Sequence, residues 1–163
     1  MKNFYLIILS AFLYSYSFAQ SAYTEVKLEE KSDYKSAEAT VLKASTYLFT
    51  TRFDKDNLER LYAIQFIMKW MEGTPDYTFI IDEKFARAFV ADADLLGLYV
   101  AAMTKYALEN KEQAGDATTV SLNAIKIIIE YSSKPGNNLK QTGELKKMAA
   151  ALKKGELEKY LDI

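Results

Sequence analysis

Asn57 to Phe79 reads NLERLYAIQFIMKWMEGTPDYTF, and the fold turns on how this stretch is read. It holds the chain's single Trp, at position 70, and Pro75, one of its two prolines. On a helical wheel Leu58, Leu61, Tyr62, Phe66, Met68 and Met71 gather on one side, and Ala63, Ile64, Ile67 and Trp70 widen that face. Glu59, Arg60, Gln65 and Lys69 leave only a narrow polar strip. The spacing predicts a helix over 57–72, buried on most of its circumference and central to the molecule. Asp56 or Asn57 caps its start, with Glu59 three residues after Asp56 as in a capping box. Gly73 suits a left-handed residue after the last turn, and Pro75 keeps the helix from resuming.

Downstream, Thr74 to Ile81 (TPDYTFII) is rich in strand-favouring residues. A lone strand is a liability, so the expectation is an extended connector packed on the core. Asp82 then caps a short helix over Glu83 to Val90, with Ile81 placed for a hydrophobic staple. Asp92 or Asp94 caps a helix from Leu95 to Asn110, whose Gly97 suggests close approach of a neighbouring backbone. A polar loop around Gly115 leads to a helix over Thr118 to Ser132. Lys134-Pro135-Gly136-Asn137-Asn138 breaks the chain, and an amphipathic helix over Gln141 to Lys154 follows. Gly155 punctuates it before a last turn or two through Leu161.

Upstream, Tyr34, Ala37, Val41, Leu42, Ala44, Leu48 and Phe49 recur at helical separations from Asp33 to near Thr50. Residues 20–32 read as a poorly ordered leader or an early half-turn of helix. Before them, Lys2, an apolar run from Phe4 to Leu13, and Ser17-Phe18-Ala19 have the layout of a secretory signal peptide over residues 1–19. That run is too short for a stable membrane span. The fold class expected is therefore all-α: a single-domain bundle of about six helices over 33–163. A tetratricopeptide-like array of helical hairpins is the alternative. It rests on an offset of 37 residues that sets Leu58, Leu61, Tyr62 and Glu72 on Leu95, Leu98, Tyr99 and Glu109.

Composition narrows the chemistry. The 163 residues include no Cys and no His. Disulfides, Ser-His-Asp triads, cysteine nucleophiles and the common zinc sites are thereby excluded. Lys and Arg number 21 against 22 Asp and Glu, without the basic excess that marks a nucleic-acid partner. Neither a cofactor nor a metal site is expected. Asp54-Lys55-Asp56-Asn57 lacks the glycine and terminal glutamate of a calcium loop. The carboxylate pairs Asp54/Asp56, Asp82/Glu83 and Asp92/Asp94 all fall at helix starts, where capping accounts for them. No catalytic residue is assigned; a hydrolase working with carboxylates is the enzymatic alternative.

The pieces Phe18-Ala19-Gln20, Trp70 to Tyr77 (WMEGTPDY) and Leu152 to Leu161 (LKKGELEKYL) resemble uncharacterised exported all-helical proteins of Bacteroidetes-type Gram-negative bacteria. The resemblance implies export to the periplasm or beyond and a helical fold; it carries no activity. The function expected is binding without catalysis, through a contact surface made of Trp70, Tyr77, Phe79, Tyr99 and Tyr106 and offered to another protein. The alternative is a carrier holding a small apolar ligand in an interhelical pocket lined by such aromatic and Met side chains.

Overall fold

Asn57 opens the helix it precedes: its side-chain oxygen accepts the N–H groups of Glu59 at 2.9 Å and Arg60 at 3.2 Å. Asp82, Asp92, Asp116 and Thr142 do the same for the helices after them. Each satisfies main-chain donors that a helix start leaves free. The computed structural model describes residues 23 and 25–163, so the signal peptide expected over 1–19 lies outside the described residues. Among the described residues there are seven α-helices and no strand. These are α1 (Lys31–Thr50), α2 (Leu58–Gly73), α3 (Glu83–Ala86), α4 (Ala93–Glu109), α5 (Ala117–Ser133), α6 (Gly143–Lys153) and α7 (Leu157–Leu161), with a 3₁₀ turn at Pro135–Asn137.

The protein is an all-α bundle, and its centre is α4 rather than α2. Helix α4 packs against α1, α2 and α5 at once. It buries residues on every side, among them Leu95, Leu98, Tyr99, Val100, Met103 and Leu108. Helix α2 lies on the outside and buries one face only: Arg60, Ala63, Phe66, Ile67 and Trp70. The leucine side expected to be core is in solvent, with Leu58 58%, Leu61 46% and Met68 41% exposed. A helix apolar all round specifies no face by itself, so its neighbours choose it. They chose the side carrying Trp70 and the one buried arginine.

That outcome also removes the basis of the repeat alternative. Leu58 and Leu61 are exposed, whereas Leu95 and Leu98, the positions they echo, are fully buried. Equivalent sites in a stacked array would share an environment. The likeness is one of spelling alone.

Two glycines were misassigned. Gly73 is the last residue of α2 and has no left-handed backbone. Its missing side chain instead makes room for a ring: a Cβ there would lie 2.1 Å from the hydroxyl oxygen of Tyr34. At Gly97 the close neighbour is the Ile64 side chain, 3.0 Å from where a Cβ would sit, and not a backbone. The segment before α1 is better packed than a loose leader. Leu28 is buried, the Tyr34 hydroxyl donates to its carbonyl at 3.2 Å, and the Tyr23 ring stacks on Phe66 at 5.5 Å. Ile81, expected as a staple, is half exposed.

Arg60 closes the far end of α1. It is 3% exposed and has no carboxylate partner among the described residues. Its guanidinium donates to the Leu48 carbonyl at 3.2 Å and the Thr51 hydroxyl at 2.9 Å, and lies 5.4 Å over the Phe53 ring. The acceptors are groups at the negative end of the α1 dipole, which is where a cation is favoured. The Tyr131 hydroxyl of α5 donates to the Thr51 carbonyl at 2.7 Å, and Phe53 N–H to the Asn137 carbonyl at 2.8 Å. One loop thus ties α1, α2, α5 and the 3₁₀ turn together.

Candidate binding cleft

The connector from Thr74 to Asp82 leaves α2 with extended backbone at Thr74 and meets α3 with extended backbone at Asp82. Tyr77 and Phe79 are half-buried, whereas Asp76, Thr78 and Ile80 are exposed. That is the alternation of a strand. The inward rings rest on Trp70, with centroids 5.5 Å away for Tyr77 and 6.2 Å for Phe79. Trp70 is fully buried, and its indole N–H donates to the Tyr34 carbonyl at 2.8 Å. The connector is anchored by its alternate side chains.

Along the connector runs a cleft of about 450 Å³, lined by Lys35 of α1, Asp76 to Thr78 and Ile80 of the connector, Lys111, Ala114 and Gly115 of the α4–α5 loop, and Ala117. This volume falls within the ~300–1,000 Å³ of ordinary ligand sites. A Cβ on Gly115 would meet nothing within 4 Å. At one end of the cleft the charges are interlocked. Glu38 of α1 accepts from Lys111 at 2.6 Å and lies 3.1 Å from Lys35, which reaches Asp76 at 3.5 Å. Burial raises the Glu38 carboxyl, but the hydrogen bonds from Lys111 and Lys35 outweigh it and hold its pKa below the ordinary value. The hydrogen bond to Glu38 raises both lysines.

These directions bear on chemistry. A general base or a nucleophilic amine needs its pKa moved toward neutrality; here all three groups are moved away from it. The same holds at a second cluster, between α3, α6 and α7. The Tyr160 hydroxyl donates to Glu144 at 2.8 Å, and Arg87 lies 3.1 Å from the same carboxylate. The Tyr160 hydrogen bond and then the Arg87 charge lower the Glu144 carboxyl, while burial and that carboxylate raise the Tyr160 hydroxyl. The first acid of each pair serves the backbone. Asp54 accepts from Asp56 N–H at 3.0 Å, Asp82 from Lys84 N–H at 2.9 Å, and Asp92 from Asp94 N–H at 2.9 Å. Among the described residues no group of three or more acids could hold a metal ion.

The aromatic surface expected from sequence is not assembled. Trp70, Tyr77 and Phe79 do come together, but Trp70 is core. Tyr99 is fully buried on α4 and stacks on Phe89 at 4.8 Å; burial pushes its hydroxyl up to about 12. Tyr106 is half-buried and donates its hydroxyl to Gln113. Of the five, only Tyr77 lines the cleft. Tyr99 and Met103 are fully buried and line none of four surface clefts. Lys35, Glu38, Lys111 and Gly115 went unrecognised because nothing local marks them. The Glu38–Lys111 pair joins residues 73 positions apart.

Comparison with protein-family models, with curated proteins and with solved structures finds no match. No helix among the described residues is long and apolar enough to cross a membrane.

Proposed function

We propose that this is an exported helical protein that works by binding a partner protein, without catalysis, at the cleft between the 74–82 connector and the 111–117 loop. The observation carrying this reading is the pairing of a non-helical, half-exposed segment with an open trough whose two lysines are held in their charged forms by Glu38. A surface of that kind can recognise; it has no group poised to transfer a proton near neutral pH. Export rests on the signal-like residues 1–19.

Gly115 offers a clean test, since its side-chain direction is open and its backbone is not left-handed. Gly115→Trp fills the trough from its rim with little cost in stability. Native mass spectrometry of wild type and variant, each purified from the cells that produce it, is expected to show a bound polypeptide in the first and not in the second. A bare monomer in both samples would overturn the proposal.

A further inference from the structure

Resting on that reading of the cleft, we infer that its occupant is an extended, acidic stretch of a partner polypeptide, which lies alongside Tyr77–Ile81 as an added strand. Three observations carry this. First, among the described residues the main chain from Pro75 to Ile81 gives and accepts no hydrogen bond, although helices surround it. A row of free N–H and C=O groups on a segment rich in Thr, Phe and Ile is the template on which a second strand forms.

Second, the segment is already held in register. Tyr77 and Phe79 are fixed on Trp70, and residues of both faces, Asp76 to Thr78 and Ile80, line the trough, as they do along the edge of a strand. An added strand would meet a main chain that has paid its ordering cost, with Ala114, Gly115 and Ala117 opposite, where the small side chains leave room.

Third, spare donors on the two lysines suit an acidic occupant, although Glu38 and Asp76 balance their charge. Lys111 spends one N–H on Glu38, and Lys35 holds Asp76 at only 3.5 Å. An ammonium has three donors, so both lysines, each more than half exposed, retain donors for an incoming carboxylate. A second copy of this chain is disfavoured in the register centred on Phe79. Antiparallel pairing about Phe79 sets Asp76 opposite Asp82, and like charges directly opposite repel.

The test starts from a displayed library of random linear octapeptides, selected on the full chain and counter-selected on Gly115→Trp. Peptides carrying an acid beside alternating β-branched residues are expected. Each winner is then synthesised with single N-methyl groups walked along its backbone. Binding measured by fluorescence anisotropy should weaken about tenfold or more at every second position, because alternate amides point toward the neighbouring strand. Lys35→Gln with Lys111→Gln should weaken binding to a similar degree, and so should rising salt on the unaltered protein.

Losses recurring every three to four positions would identify a bound helix and overturn the inference. So would binding insensitive to both lysines and salt, a concentration-dependent dimer that excludes the peptides, or displacement of the peptides by small carboxylates such as acetate or citrate. If the Gly115→Trp variant loses its native partner while no octapeptide is selected, strand addition fails and the cleft remains the binding site. If Gly115→Trp changes neither measurement, both readings fail.

Discussion

The indole N–H of Trp70 donates to the main-chain carbonyl of Tyr34 across 2.8 Å, joining α2 to the first turn of α1 over 36 positions of chain. The same indole carries the Tyr77 and Phe79 rings of the connector, so one side chain supports both a helix pair and the wall of the cleft.

Trp70→Ala should cost about 3–5 kcal/mol, the range for emptying an aromatic core site. Trp70→Phe keeps much of the volume but abandons the carbonyl, for about 1–3 kcal/mol. Chemical denaturation resolves both. A loss under about 0.5 kcal/mol for Trp70→Ala would place the residue outside the core.

Tyr99 should behave in the opposite way. Its hydroxyl is buried beside that of Ser121 and makes no hydrogen bond of ordinary geometry among the described residues. Removing a buried, unpartnered polar group relieves a desolvation cost, so Tyr99→Phe should hold or raise stability by up to about 1 kcal/mol. A clear drop in melting temperature would contradict this.

Gly73→Ala pushes a methyl into the Tyr34 ring. We expect a loss of about 1–3 kcal/mol through forced repacking. Because the clash is with a side chain, the penalty should shrink in a Tyr34→Ala background. Equal penalties in both backgrounds would locate the strain elsewhere.

Arg60→Ala removes the cation closing α1 and leaves its acceptors to solvate themselves within the core. Hydrogen bonds to charged groups are worth ~1.5–3 kcal/mol, and a loss of about 3 kcal/mol is expected on unfolding by urea. Arg60→Lys keeps the charge without the fork of donors and should recover only part of it.

Acid should destabilise the fold, with a plateau at neutral pH. The Asp33 carboxyl is lowered by the Glu30 and then the Glu29 main-chain N–H, and that of Asp116 by the Thr119 N–H and hydroxyl and the Thr118 N–H. Glu38 and Glu144 are lowered as described above. A group whose pKa is depressed by folding contributes stability that is present above its unfolded value, about 4, and is lost as pH falls through the folded one. Thermal melts should therefore be flat from roughly pH 6 to 8, since there is no His to titrate there, and fall below about pH 4.5. Glu144→Gln should shallow the acid slope. A pH-independent melting temperature down to pH 3 would show that these carboxylates are not coupled to folding.

Much of the scaffold was legible, because helix starts are written in single residues. Asn57, Asp82 and Asp92 stand where the caps are, and the breaker at Pro135 became a tight turn. Orientation was not legible. The wheel of α2 set the leucines and Trp70 on one broad apolar face and Arg60 in a polar strip, and the neighbouring helices decided which part of the circumference was buried. Arg60 was read as solvent-facing polar because burying a guanidinium is favourable only against acceptors that another loop supplies. The cleft was less legible still. Its charges come from α1, the connector and the α4–α5 loop, and no local pattern joins Lys35 to Lys111.

The bare main chain between Pro75 and Ile81 also bears on how the molecule is put together. Helices α1 and α2 are joined to the remaining helices there by covalent bonds that fix no hydrogen-bond ladder, while their hold on α4 is a broad packed surface. Continuity of the polypeptide at that point is therefore close to superfluous for the folded state. A chain nicked within the connector should stay assembled, and separate fragments ending on either side of it should find each other and rebuild the bundle.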